Sequence, residues 1–306
     1  MATFALQTAL NGSFDDLRNT ARRAEATGFE TLYLPDHPGT TASPLVALGA
    51  VAQHTERIRL GPCVTNVGVR EPIQIASDAA TLDVISGGRV ILGLGAGHTP
   101  GEWRAIGAER PGPGKRIDRL VETVPIITRL LAGQSIDFVG SAITVHGTLD
   151  APQPLQQPIP LMIGGGNQRL LEFAGAHADV VGLSGLGRTL DDGHRHETRF
   201  GRSEVEHAIE AVRRGASGRT TLPAVEALVQ FVSITHDRRS VAAGLADRID
   251  GLTREHALDT PFLLIGTRDE IVRQLVRHER ELGITRFVVR GDALDAIAPI
   301  LDATGD

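Results

Sequence analysis

Residues 153–183 read QPLQQPIPLMIGGGNQRLLEFAGAHADVVGL. A proline-rich lead gives way to a short apolar run at 161–163, then to three consecutive glycines at 164–166. An amphipathic stretch of helical period follows, and a second apolar run closes the segment at 180–183. The order is strand, tight turn, helix, strand, which is the βαβ unit of a parallel sheet. Residues without a Cβ let the backbone come close to a bound group, and free N–H groups at a helix start favour an anion. Gly164, Gly165, Gly166 and Asn167 therefore form a candidate phosphate cradle, with a plain tight βα connection as the alternative.

The same alternation runs outward in both directions. Apolar runs at 4–9, 31–35, 58–65 and 90–95 read as four earlier strands, and those at 227–234 and 286–290 as two later ones. Helical patterns lie between them: one is capped by Ser13, one opens at Ser43-Pro44, and others cover 72–86, 115–131, 203–214, 239–256 and 267–282. Residues 136–145 (IDFVGSAITV) suggest a small hairpin around Gly140-Ser141. The stretches 99–115 and 185–202 read as polar loops. Near-continuous apolar strands alternating with helices require a parallel sheet covered on both sides. Eight such units predict α/β architecture as a (β/α)8 TIM barrel, in a single domain over 1–306, with a doubly wound sheet as the alternative. In a barrel the chemistry gathers at the C-terminal strand ends, where the hairpin and the long loops are insertions.

Bulk properties narrow the function. The 306 residues carry a formal net charge of −6 and 22% charged residues, so no basic footprint for nucleic acid exists. Lys115 is the only lysine among 31 basic side chains. A single cysteine, Cys63, excludes an internal disulfide and suits a reducing cytoplasm. The first residues, MATFALQTALNG, lack the basic and apolar regions of a signal peptide. No apolar run is long enough to span a bilayer. A soluble cytoplasmic protein acting on a small-molecule substrate, without nucleic acid or membrane, is the expectation.

Several strand ends carry chemistry. Asp36-His37 follows the second strand; an imidazole suits proton transfer near neutrality, and the adjacent carboxylate is placed to orient or charge it. Gly61 to Asn66 (GPCVTN) puts a thiol, a hydroxyl and an amide at the third strand end. Cys63 lacks a neighbouring base and reads as a small apolar residue, whereas Thr65 and Asn66 read as hydrogen-bonding groups for a ligand. Gly93 to His98 (GLGAGH) has neither the spacing nor the following helix of a dinucleotide fingerprint. Its glycines instead allow a flat ring system to lie against the backbone. His194 and His196 with Asp191 or Asp192 form a weak metal pattern, and a solvated loop is the preferred reading, so no metal is expected. Tyr33 and Trp103 read as packing residues.

Taken in order, LPDH (34–37), LGPCVTN (60–66), LDVISGGRVILGLGAG (82–97), GEWRAIG (101–107), RIDRLVE (116–122), DFVGSAITV (137–145), PQPLQQPIPLMIGGG (152–166), AHADVVGL (176–183), PFLLIGTRDEIVRQL (261–275) and GITRFVV (283–289) resemble the luciferase-like flavin and deazaflavin oxidoreductases, closest to the branch using coenzyme F-420. The resemblance implies a (β/α)8 barrel, often homodimeric. Asp36 and His37 would face the deazaflavin ring and the substrate, with His37, Asp36 and His98 as catalytic candidates. Cys63, Val64, Thr65, Asn66, Gly95, Ala96, Gly97 and His98 would edge the ring, and Gly164 to Asn167 would hold the phosphate. Relatives often carry a non-proline cis peptide that would fall at Cys63-Val64. Where alcohol-oxidising relatives have a glutamate this chain has His98, and Ile143 replaces a common hairpin aromatic. The implied activity is hydride transfer between F-420 and a small organic substrate. A monooxygenase using reduced FMN from a partner reductase is the second reading, and a non-catalytic flavin-binding protein the third.

Overall fold

The computed structural model describes residues 2–190 and 196–304, and the chain divides into two compact units. One comprises Thr8–Arg22 and Thr31–Ile163; the other holds the first seven residues, Arg23–Glu30 and the chain from Gly164 onward.

In the first of these units Thr31–Leu34 pairs in parallel with Arg59–Pro62, and Thr65–Asn66 with Leu92–Gly95. Every residue of TLYL is buried, which is why the run shows no alternation: both of its faces are covered. The helices Pro44–Ala52, Pro72–Ser86 and Pro113–Leu131 each begin at a proline, where the missing N–H costs nothing. Gly87 ends the second of them in the left-handed conformation, φ +69°. Ile136–Val139 and Thr144–Gly147 form the expected antiparallel hairpin. Its tip is gripped by one carboxylate. Glu122, on the long helix, accepts from the Ser141 N–H and hydroxyl (2.8 and 2.7 Å) and from the Ala142 and Ile143 N–H groups (3.0 Å each). Burial opposes its charge, but these donors outweigh burial and hold Glu122 below the usual carboxylate range.

In the other unit Thr3–Gln7, Ile284–Arg290, Ala224–Leu228 and Val180–Leu183 lie side by side in that order, all parallel. The helices Gln168–His177 and Arg202–Gly215 pack so closely that a Cβ at Gly215 would run into the Glu172 backbone. Glycine is required there by the approach of two helices. The strand-helix alternation of the α/β, (β/α)8 class expected from the sequence is the one found.

Local differences have local causes. The run at 58–65 is two strands, Arg59–Pro62 and Thr65–Asn66, separated at a cis Cys63-Val64 peptide. The run at 227–234 is also two: Ala224–Leu228 joins the main sheet, and Phe231–Ile234 pairs with Leu263–Gly266, a strand hidden in a four-residue apolar run between helices. The helix expected over 239–256 breaks into Arg238–Ala246 and Arg254–Asp259 around Gly251, at φ +80°. Both polar loops contain structure. A six-residue helix, Pro100–Ala105, lies in the first, and an antiparallel pair, Leu186–Thr189 with His196–Thr198, in the second.

Candidate functional site

The turn after Thr31–Leu34 fixes Asp36 and His37 through its backbone. The Thr40 and Thr41 N–H groups both donate to the His37 carbonyl (2.9 Å), and the His37 N–H donates to the Thr41 hydroxyl (3.0 Å). The two side chains then part. Asp36 is buried and accepts a two-pronged contact from Arg70, Nε and Nη2 each at 2.7 Å, the strong planar pairing of guanidinium with carboxylate. The arginine's hold on its proton rises, chiefly through that hydrogen bond. Asp36 therefore does not orient His37, as its adjacency suggested. That place belongs to Glu102, whose Oε1 lies 2.7 Å from His37 Nδ1.

Glu102 sits on the short helix Pro100–Ala105 and is 2% exposed. Asn66 Nδ2 donates to its other oxygen, Oε2. Asn66 is itself held, since its Oδ1 accepts the Gly68 N–H at 2.8 Å. Burial works against the carboxylate's charge, yet the hydrogen bonds from His37 and Asn66, the attraction to His37 and a bond from Thr99 prevail and keep Glu102 below its ordinary range. The His98 ring, exposed, meets the His37 ring edge-on with centroids 5.5 Å apart. His37, half-buried, is thus backed by a buried anion and flanked by a second imidazole.

The rest of the strand-end group lies in the same unit. Cys63 and Val64 are half-buried, Thr65 and Asn66 buried, and the Thr65 hydroxyl has no hydrogen-bond partner among the described residues. Gly95 is buried, and Ala96 and Gly97 are half-buried. Gly97 has φ +72°, and a Cβ there would collide with the Asn66 amide and the Trp103 ring. Trp103 is 2% exposed, with the Arg116 guanidinium 6.0 Å from its ring centre; like the fully buried Tyr33 it is a packing residue. Arg116 also donates to the Gly97 carbonyl, and Arg110 to that of His98. Two arginines therefore hold the backbone of the glycine turn.

The triple glycine, at the start of the other unit, is less open than its sequence suggested. The Gly165 N–H is spent on the Gly182 carbonyl (3.1 Å), and the Asn167 side chain caps the helix Gln168–His177 by accepting from the Arg169 and Leu170 N–H groups at 3.0 and 3.4 Å. Asn167 thus takes the amides that an anion would use. A cavity of about 570 Å³ opens beside Gly165 and Gly166, with Leu171, Leu183, Val205 and Phe262 as apolar lining and Arg199 and His207 as basic lining. Among the described residues no group of His, Cys, Asp and Glu is arranged to hold a metal; His194, Asp191 and Asp192 lie outside those residues. No helix among them is long and apolar enough to cross a membrane.

A family model described as luciferase-like monooxygenase matches residues 1–286. The chain belongs to the luciferase-like monooxygenase family. Within it, an F-420-dependent glucose-6-phosphate dehydrogenase of Amycolatopsis mediterranei is 31% identical over 209 residues, 65% of this chain and 62% of that protein. The chain therefore spans about three fifths of the length of that relative. A 4-hydroxyprotoasukamycin monooxygenase of Streptomyces nodosus subsp. asukaensis is 37% identical over 293 residues, 91% of this chain and 74% of that protein. Among solved structures, the F-420-dependent tetrahydromethanopterin reductase of Methanopyrus kandleri superposes with a TM-score of 0.77 at 22% identity, covering 100% of this chain and 99% of the other. An F-420-dependent secondary alcohol dehydrogenase gives 0.78 at 20% identity, with the same coverages. Both likenesses establish the barrel fold.

Proposed function

We propose that the protein is an F-420-dependent oxidoreductase acting on a small organic substrate. The observation that carries the reading is His37: an imidazole at a strand end, backed by a buried carboxylate through Nδ1, which leaves Nε2 to exchange a proton. Relatives named as F-420-dependent dehydrogenases support the choice of coenzyme. When bound, the deazaflavin supplies hydride donation or acceptance at its ring carbon. The residues present fit a polar ring system: the buried Thr65 hydroxyl has no partner among the described residues, and Gly95 and Gly97 flank Ala96 with no side chain of their own. Thr65, Asn66 and the backbone from Gly95 to His98 would edge the ring. The Gly164–Asn167 turn, taken by itself, leaves the exposed Gly166 as its candidate for a phosphate. Asp36, locked to Arg70, serves as a structural anchor for the His37 turn, and His98 is the second proton-exchanging group.

A second reading has an observation of its own. The relative that covers 91% of this chain is named as a monooxygenase, which favours reduced FMN delivered by a partner reductase, with oxygen as co-substrate. Titration of the purified protein with oxidised F-420 and, separately, with FMN, followed by fluorescence, divides the two. Much tighter deazaflavin binding supports the oxidoreductase; tighter FMN binding overturns it in favour of the monooxygenase. His37→Ala then tests the role of the imidazole. Turnover undiminished with a competent substrate would remove His37 from the mechanism.

A further inference from the structure

We infer that Glu102 is a positioning residue that fixes the tautomer of His37, and that Asn66 is what compels it to do so. The catalytic consequence rests on the acid–base role proposed for His37, but the tautomer itself does not.

Gly68, Asn66, Glu102 and His37 form a run of donors and acceptors with one free end. The Gly68 N–H can only donate, so the Asn66 atom 2.8 Å from it must be the amide oxygen. The amide nitrogen of Asn66 consequently faces Glu102 and donates to Oε2. A carboxylate accepts at both oxygens, which leaves Oε1 as an acceptor 2.7 Å from His37 Nδ1. Because burial denies Glu102 solvent, the hydrogen at that contact has to come from the imidazole. Neutral His37 therefore carries its hydrogen on Nδ1 and presents a lone pair at Nε2, and protonated His37 presents Nε2–H. Thr99, whose hydroxyl also bonds Glu102, can rotate and imposes no direction. The other ionisable groups around the ring leave this order intact. His98 approaches edge-on at 5.5 Å, and Asp36 is committed to Arg70.

The consequence is a base in the resting protein. Neutral His37 is set to accept a proton at Nε2, for example from a substrate hydroxyl whose carbon would give up its hydride to an oxidised deazaflavin bound there and become a carbonyl, and the imidazolium so formed stays held by Glu102. In the reverse direction the imidazolium returns that proton.

The test replaces Glu102 by glutamine. Since Asn66 cannot turn its oxygen toward residue 102 without abandoning Gly68, the new amide must offer its oxygen to Asn66 and its NH₂ to His37. Nδ1 then becomes an acceptor, and the hydrogen moves to Nε2. Nitrogen-15 NMR of ring-labelled histidine at mildly alkaline pH, without coenzyme, reads this directly, the His37 signals being those lost in His37→Gln. The expected result is hydrogen on Nδ1 in the wild type, on Nε2 in Glu102→Gln, and back on Nδ1 in Glu102→Gln with Asn66→Ala, where the glutamine is free to turn. A wild-type Nε2–H tautomer overturns the inference, and does so even if neither variant folds. The same tautomer in wild type and in folded Glu102→Gln also overturns it. In turnover, Glu102→Gln should lower kcat by about 10²- to 10⁴-fold with KM little changed, and should have no further effect in a His37→Ala background. If His37→Ala is fully active, the acid–base reading fails while the tautomer result stands. If His37→Ala is inactive but Glu102→Gln is as active as wild type, the positioning role fails alone.

Discussion

His278 offers a stability test whose size follows from the structure. The residue lies on the helix Arg268–Leu282 with none of its surface exposed. Burial is the main cause that lowers its pKa from 6.5 to about 4; Arg277 adds to the effect, and Asp259 opposes it. A histidine that resists protonation when folded but accepts it freely when unfolded makes the unfolded state the better proton binder below pH 6.5. Stability therefore falls as pH drops from 6.5, and the loss is complete below about pH 4. A gap of about 2.5 pH units, at about 1.4 kcal/mol per unit, corresponds to about 3 kcal/mol. At pH 5 about 2 kcal/mol should already be gone. His278→Met cannot titrate. Urea unfolding of both proteins at pH 8 and at pH 5, followed by circular dichroism, isolates the histidine from the carboxylates common to both. The wild type should lose about 2 kcal/mol more than the variant over that interval. A constant offset at the two pH values says only how well methionine packs. Parallel losses would refute the reasoning, because they would mean that His278 is protonated as easily in the folded chain as in the unfolded one.

Other perturbations follow from the site. Arg70→Ala strands the buried Asp36 carboxylate and should destabilise by about 3–5 kcal/mol, part of which Asp36→Asn should restore in the double variant; thermal unfolding of the four proteins decides. Gly97→Ala forces a side chain into φ +72° and against Asn66 and Trp103. It should cost about 2 kcal/mol or more and should change the emission of the chain's only tryptophan; unaltered emission and melting would contradict the crowding described. Asn167→Ala should lose about 1 kcal/mol of helix capping, while Asn167→Asp keeps the cap and weakens binding of an anionic coenzyme. Unchanged stability with weakened binding in the alanine variant would instead make Asn167 a ligand contact.

What could be read in the sequence depended on how far apart the determinants lie. The helix Pro72–Ser86 was legible because proline at its start and glycine after its end are local signals spanning a long periodic run. The turns at Asp36-His37, Cys63–Asn66 and Gly164–Asn167 were legible because a strand end followed by small or polar residues is written contiguously. Glu102 was not, since its helix is six residues long in a glycine- and proline-rich stretch, too short to show a period. Its partners lie 65 and 36 residues away. The Asp36–Arg70 pair, 34 residues apart, escaped for the same reason, and proximity in sequence pointed to the wrong carboxylate for His37. The strand Leu263–Gly266 was missed because four apolar residues between two helices suit either state.

The carboxylate of Glu122 at the hairpin tip has a consequence for how this protein can diverge. It grips backbone N–H groups at Ala142 and Ile143, which any residue but proline supplies, so the tip keeps its shape whatever side chains those positions carry. Position 143, whose side chain is buried, can then be exchanged for another apolar residue during natural drift, or in a mutant library, without losing the donor that shapes the loop. Heritable variation in this segment is thus uneven: Glu122 and Gly140, where a Cβ would strike that carboxylate, are constrained, while the residues that supply only backbone N–H groups to it are open to exchange.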